Sequence, residues 1–224
     1  MFVPAHAGQA ANITSAIYSQ PTTRYQHGVL GDAIEYGALE LRLSNGRAIM
    51  LTLPNDRVFE DIAPRLTDVD LDGDFEIIAV ESSLTLGARL SIYDENGLVA
   101  ATPYIGRSHR WLAPIGSADL DGDGYIEIAY IDRPHLAKTL IVWRFQQGQL
   151  TKIANQKDLT NHRIGWDFIP GGIRECENGP KIITASGNWS DVMATELSSD
   201  GQLTSKPVGS YTGPEDLTAA LNCP

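Results

Sequence analysis

Four stretches of the chain alternate apolar and polar residues, break at a polar turn containing glycine, and then alternate again. They are LELRLSNGRAIMLTL (39–53), LSIYDENGLVAATPY (90–104), LIVWRFQQGQLTKIA (140–154) and MATELSSDGQLTSKP (193–207). A period of two places successive side chains on opposite faces of a strand. A short Gly-containing break between two such runs predicts a β-hairpin. The turn glycines Gly46, Gly97, Gly148 and Gly201 are spaced 51, 51 and 53 residues apart, so the hairpins mark a repeat.

Three hairpins are preceded by another short β-rich run, EIIAVES (76–82), EIAYIDR (127–133) and KIITASG (181–187); RYQHGVL (24–30) stands at the matching place in the first unit. Ahead of these lie ITSAIYS, FEDIAPRL, RWLAPIGSA and RIGWDFI, which supply a first strand for each unit. The β-branched content and the period of two argue against helices. A repeat of about 50 residues built from four antiparallel strands has the size of a propeller blade. The expected fold is therefore all-β: a β-propeller of four four-stranded blades with a short C-terminal helix, spanning residues 12–224. The helix is expected where Thr212-Gly213-Pro214-Glu215 resembles a capping box ahead of DLTAALN. Seven blades would need roughly 350 residues. A closed ring of four is the first expectation. An open arc of four sheets that pairs with a copy of itself, a homo-oligomer, is the alternative.

Composition narrows the partners. With 17 basic and 28 acidic residues the net charge is −11, so a nucleic-acid or anionic-membrane surface would be repelled. No apolar run approaches the roughly 20 residues of a membrane helix. Residues 1–11, MFVPAHAGQAA, read either as a flexible N-terminus or as the remnant of a signal peptide, with Ala-x-Ala at Ala5 to Ala7. The two cysteines, Cys176 and Cys223, do not have the paired spacing of a zinc site. They can form a disulfide that pins the tail, which an exported location permits, or remain two thiols. Asn12-Ile13-Thr14 and Asn188-Trp189-Ser190 match the glycosylation sequon, which has meaning only in a secreted eukaryotic protein.

The acidic residues are not spread evenly. Asp68, Asp70, Asp72, Asp74 and Glu76 precede the second strand of one unit, and Asp119, Asp121, Asp123 and Glu127 precede that of the next. Aligned on the closing Glu, both loops carry acids at positions 1, 3, 5 and 9 with Gly at 6. Alternate side chains of such a loop converge on one point, and the glycine permits the sharp turn. Position 7, Asp74 or Tyr125, offers its backbone carbonyl. An EF-hand would need a Glu at position 12, where Ala79 and Tyr130 stand, followed by a helix rather than a strand. Outside these loops 19 acids face 17 bases, close to balance. Carboxylates so closely packed repel one another unless a cation neutralises them. A flexible all-oxygen loop suits calcium better than magnesium. Asp-Gly runs also occur as plain solvated turns, but two of them at matched repeat positions favour a pair of Ca2+ sites.

The motifs DVDLDGDFEI and DLDGDGYIEI resemble FG-GAP/VCBS repeats, the calcium-loop blades found also in integrin α-subunit propellers. The resemblance implies that the acidic loop joins the first and second strands of a blade and that the metal braces the blade without doing chemistry. It further implies the ligands Asp68, Asp70, Asp72, Asp74 and Glu76 for one ion, and Asp119, Asp121, Asp123, Tyr125 and Glu127 for the other. The outer units carry SQPTTRY and GGIRECENGPK in place of acids, so no metal is expected there. In the last unit a Cys176–Cys223 disulfide can take over the bracing. The family is associated with export to the periplasm or the extracellular space.

His109-Arg110-Trp111 and His162-Arg163 recur 53 residues apart, each expected at the start of an innermost strand facing the central channel, with His27 in the first unit. Such pairs can bind an acidic sugar or carboxylate, or they can be inherited repeat positions that pair with acids such as Asp167. The chain contains no Gly-x-Ser-x-Gly, P-loop, Rossmann fingerprint or His-Glu-x-x-His. The expected function is an exported, calcium-binding, non-enzymatic module for a protein or glycan ligand. The alternative is a lyase or hydrolase acting on an anionic saccharide or ester at the channel.

Overall fold

The computed structural model describes residues 11–223. The N-terminal segment read as a flexible terminus or signal remnant lies, through residue 10, outside the described residues. The chain is all-β with one short C-terminal helix, and every strand pairing is antiparallel. The first sheet holds β1 (Ile13–Thr22), β2 (Glu35–Leu43), β3 (Ala48–Thr52), β4 (Arg57–Phe59), β5 (Arg65–Thr67), β6 (Glu76–Ser83), β7 (Gly87–Asp94) and β8 (Gly97–Ala101). The second holds β9 (Leu112–Ala118), β10 (Ile126–Asp132), β11 (Thr139–Gln146) and β12 (Gln149–Lys157). The third holds β13 (Leu159–Thr160), β14 (Gly172–Cys176), β15 (Gly179–Ser186), β16 (Asp191–Leu197) and β17 (Leu203–Ser210), and α1 (Pro214–Ala219) follows.

The four predicted hairpins are β2–β3, β7–β8, β11–β12 and β16–β17. Their local origin is clear at Gly46 and Gly148, whose φ values of 83° and 72° suit a residue without Cβ. The sheets differ from the expected four units of four strands, and none of the three closes on itself. Two causes are visible. The short β4 pairs with β2 at Tyr36–Phe59 and with β6 at Arg57–Ser83 through Phe59–Glu81, fusing the first two units into one eight-stranded sheet. And RYQHGVL and RIGWDFI are loops rather than strands. The first unit therefore has three strands, β1–β2–β3, before the bridge. In the last unit β14 is the partner of β15 that RIGWDFI was expected to supply.

Every residue of β6 and β10 is buried. These strands are covered on both faces, so that Glu81 and Glu127 are buried beside their apolar neighbours. The outer β3 alternates between exposed and half-buried residues. The core forms in clusters that join consecutive units. Leu39 and Leu41 pack with Ile77 and Ala79, Val80 and Leu90 with Leu112 and Ile128, and Leu140 and Val142 with Ile182 and Leu197. Each fully buried large apolar side chain contributes on the order of 1.5–3 kcal/mol. The first and last units also touch: the Gly165 N–H donates to the Val29 carbonyl at 3.0 Å. At this crossing Gly31 has φ 97°, and a Cβ there would lie 3.0 Å from the Gly165 carbonyl oxygen, so any other residue would be strained and crowded.

The helix starts one residue later than the sequence suggests. Gly213 is the N-cap, and the carboxylate that reaches back is Asp216, not Glu215; it accepts from the Gly213 N–H at 3.0 Å and from the Thr212 N–H and hydroxyl at 2.6 and 2.8 Å. Leu217 is fully buried against Ile183, Ala185 and Val192 of the third sheet. Cys176 and Cys223 form a disulfide with a Cα–Cα distance of 5.8 Å, tying β14 to the tail. Among the described residues no helix is long and apolar enough to cross a membrane.

Candidate functional site

The two acidic loops lie between β5 and β6 and between β9 and β10, and they share one construction. The first acid folds each loop around itself. Asp68 accepts from the Asp72 N–H at 3.1 Å and the Gly73 N–H at 3.0 Å. Asp119 accepts from the N–H groups of Gly122, Asp123 and Gly124 at 2.8, 3.1 and 3.0 Å. The closing acid then latches the strand back to the loop: Glu76 accepts from the Val69 N–H at 2.9 Å and Glu127 from the Leu120 N–H at 2.8 Å. As a result Asp68, Asp70 and Glu76 each present a carboxylate oxygen within 4.8 Å of the others, and Asp119, Asp121 and Glu127 do the same. Both donor sets are all oxygen, which suits a hard divalent cation.

The remaining sequence candidates lie beside these triads. Asp72 accepts from the Asp74 N–H at 2.8 Å, and Asp123 from the Tyr125 N–H at 3.0 Å. The Tyr125 ring is exposed. Asn12, at the entry to β1, adds a contact that no motif announces. Its amide donates to the Gly73 carbonyl at 3.1 Å and accepts from the Phe75 N–H at 2.9 Å, fastening the first loop to the first unit.

The loops differ in how their charge is balanced. In the second, the Arg144 guanidinium on β11 pairs with Asp121 at 2.7 Å, Asp123 at 2.7 Å and Glu127 at 2.6 Å. The strand register sets Arg144 opposite Glu127 and Trp143 opposite Ile128; in the first pair Tyr93 lies opposite Ile77, and the residue after it is Asp94. The Asp94 carboxylate turns to Asn96 and Gly97 of its own hairpin, and the acids of the first loop have no ion pair among the described residues. The titration behaviour follows. Burial, then the charges of Asp70, Asp72 and Asp68, push Glu76 up to about 7, against the Val69 N–H. Burial also raises Glu127, but there Arg144 opposes it. Even with Arg144 in place, Asp121 keeps one oxygen buried without a hydrogen-bond partner, on a side chain only 3% exposed. A buried lone pair of this kind is costly to leave unused, and a cation in the loop would use it.

A second constellation gathers the other sequence candidates. A cavity of about 200 Å3 is lined by His27, His109, Arg110 and Trp111 together with Arg133 and His135. His27 Nδ1 lies 2.5 Å from Glu60, which is fully buried and also accepts from the Ser82 hydroxyl. The Trp111 indole N–H donates to the Glu60 carbonyl at 2.8 Å. His109 stacks on Tyr25 with ring centroids 4.9 Å apart. His109 and Arg133 have φ values of 55° and 46°, in the left-handed region. His162 stands behind the cavity, 1% exposed. Arg163 is elsewhere, its guanidinium 4.5 Å from the centre of the Trp189 ring. His162-Arg163 lies in the loop before β14 and not on a strand. Glu60, Arg133 and His135 carry no motif and become visible only when the units pack together. Among the described residues the histidines do not form a group of three within metal-ligand reach, whereas the two carboxylate triads do.

The chain matches no protein-family model. It also matches no curated protein.

Proposed function

We propose that the chain is an exported β-propeller of the FG-GAP/VCBS type, in which two calcium ions brace the middle units and the assembled repeats present a ligand-binding surface without catalysis. The observation that carries this reading is the pair of carboxylate triads, Asp68/Asp70/Glu76 and Asp119/Asp121/Glu127, at matching repeat positions with the same Glu-to-backbone latch. The four hairpins at matched spacing, the face-to-face apolar clusters between consecutive units and the Gly165–Val29 hydrogen bond between the last and first units support a ring of four blades. The disulfide supports an oxidising compartment, since such bonds persist outside the cytoplasm. The partner is a protein or a glycan.

The test is the melting curve with calcium and with chelator. A ligand at 100 times its Kd stabilises the folded state by about 2.7 kcal/mol per site, and each kcal/mol moves the midpoint of a domain of this size by about 2–4 °C. Saturating calcium is expected to raise the midpoint by about 5–10 °C per filled site. Asp70→Ala and Asp121→Ala each abolish the share of one loop. Arg144→Met lowers the midpoint in chelator and enlarges the calcium response, because the second loop then has the metal as its only cation. Identical curves with and without calcium overturn the proposal.

A further inference from the structure

The histidine-lined cavity has a hydrogen-bonding polarity that can be followed atom by atom. His162 Nε2 lies 3.0 Å from the Trp166 carbonyl oxygen, which only accepts, so that nitrogen carries the hydrogen. Burial lowers the pKa of His162 and keeps the ring neutral, which leaves Nδ1 as an acceptor. His135 Nε2, 3.0 Å away, therefore donates to it. His135 is neutral as well, its pKa lowered to about 4 by burial and by His162. The ring lines the cavity, and its Nδ1, the unprotonated nitrogen, has no hydrogen-bond partner among the described residues.

The charge of the cavity is also defined. Arg133 is held by Asp132 through two hydrogen bonds of 3.0 and 2.7 Å. Arg110 has no carboxylate partner among the described residues; the one hydrogen bond of its guanidinium there is to the His109 carbonyl. Glu60 is covered by His27 and Ser82. Burial and the neighbouring Glu60 push Glu35 up to about 9, so it adds no negative charge at neutral pH. Of the remaining lining, His109 is stacked on Tyr25, and Trp111, Leu136 and Ile164 are apolar, the last two at 64% and 71% exposure. Those two are the most exposed large apolar side chains among the described residues.

We infer that this cavity binds a small 2-hydroxycarboxylate with an apolar side chain. The carboxylate is held by Arg110, the hydroxyl donates to His135 Nδ1, and the side chain packs against Trp111, Leu136 and Ile164. A volume of about 200 Å3 admits a ligand of this size. A carboxylate without a hydroxyl leaves the His135 lone pair unmet. A neutral hydroxy compound leaves Arg110 without its counter-ion. This inference deepens the proposed role as a ligand-binding module but uses none of the acidic-loop residues.

The test compares three probes that differ by one group each: mandelate, phenylacetate and mandelamide, titrated into the full chain in calcium buffer by calorimetry. Mandelate is expected to bind about tenfold more tightly than either analogue, the loss produced by one missing hydrogen bond or charge-assisted contact. Arg110→Gln removes the preference over mandelamide but keeps that over phenylacetate. His135→Phe does the reverse. A melting curve on each variant establishes that it is folded, and the wild-type comparison of the probes stands even if a variant is not. Equal affinity for all three, no saturable mandelate binding, or unchanged preferences in the folded variants overturns the inference. The metal proposal is judged on the melting curve and this one on probe affinity, so either can fail alone.

Discussion

Glu81→Ala lowers the unfolding free energy by about 3–5 kcal/mol, the cost of leaving a buried charge without its partner. Glu81 is fully buried in β6. Arg89 donates to both its oxygens at 2.9 Å, and the hydroxyls of Ser91 and Tyr93 each donate at 2.6 Å. Arg57 approaches to 3.6 Å. The network is already stretched on the cation side, since Arg89 Nε is buried with no partner. Removing the carboxylate strands the guanidinium and two hydroxyls inside the first sheet. The double variant Glu81→Leu/Arg89→Met should recover much of the loss, because an apolar pair of similar volume leaves no charge behind. Urea unfolding of the three proteins checks this. A single variant as stable as the wild type, or a double variant no better than the single, contradicts the assigned role.

The second large effect is that of the disulfide. Cys176 and Cys223 close a loop of sequence separation 47. On the chain-entropy account, opening such a loop in the unfolded state costs about 4 kcal/mol. Cys176→Ser/Cys223→Ser should melt about 10 °C below the wild type. Reductant should bring the wild type down to the variant and leave the variant unmoved. The last unit is the one to loosen first, because the bond fastens β14 to the segment that follows α1. Hydrogen exchange at Leu217 and in β14 reads this directly; protection unchanged by reduction contradicts it.

What the sequence revealed was mostly what short-range chemistry dictates. The four hairpins were legible because each turn and its flanking alternation lie within 15 residues. The acidic loops were legible for the same reason, and six of their acids converge as two triads. Misreadings arose where apolar residues serve packing between units. RYQHGVL looks like a strand because Tyr25 and Val29 are apolar and almost fully buried, yet they are buried as a loop; Val29 packs among strands of the second and third units. Periodicity does not separate a buried loop from a short buried strand. β4 has three residues, too few to show a period. Arg144 was in principle accessible: counting strand register back from the 140–154 hairpin sets it opposite Glu127. His135 and Glu60 were not, because they meet His162 and His27 only across 27 and 33 residues of chain.

The asymmetry between the loops gives the metal proposal its sharpest form, since one loop carries an internal cation and the other must find its cation outside. Equilibrium dialysis against calcium at neutral pH, with the bound ions counted per chain, tests it most directly. The account predicts two ions for the wild type and one each for Asp70→Ala and Asp121→Ala, with the first loop filling at lower calcium than the second. A folded wild-type chain that retains no calcium, or a count that neither substitution changes, would contradict it.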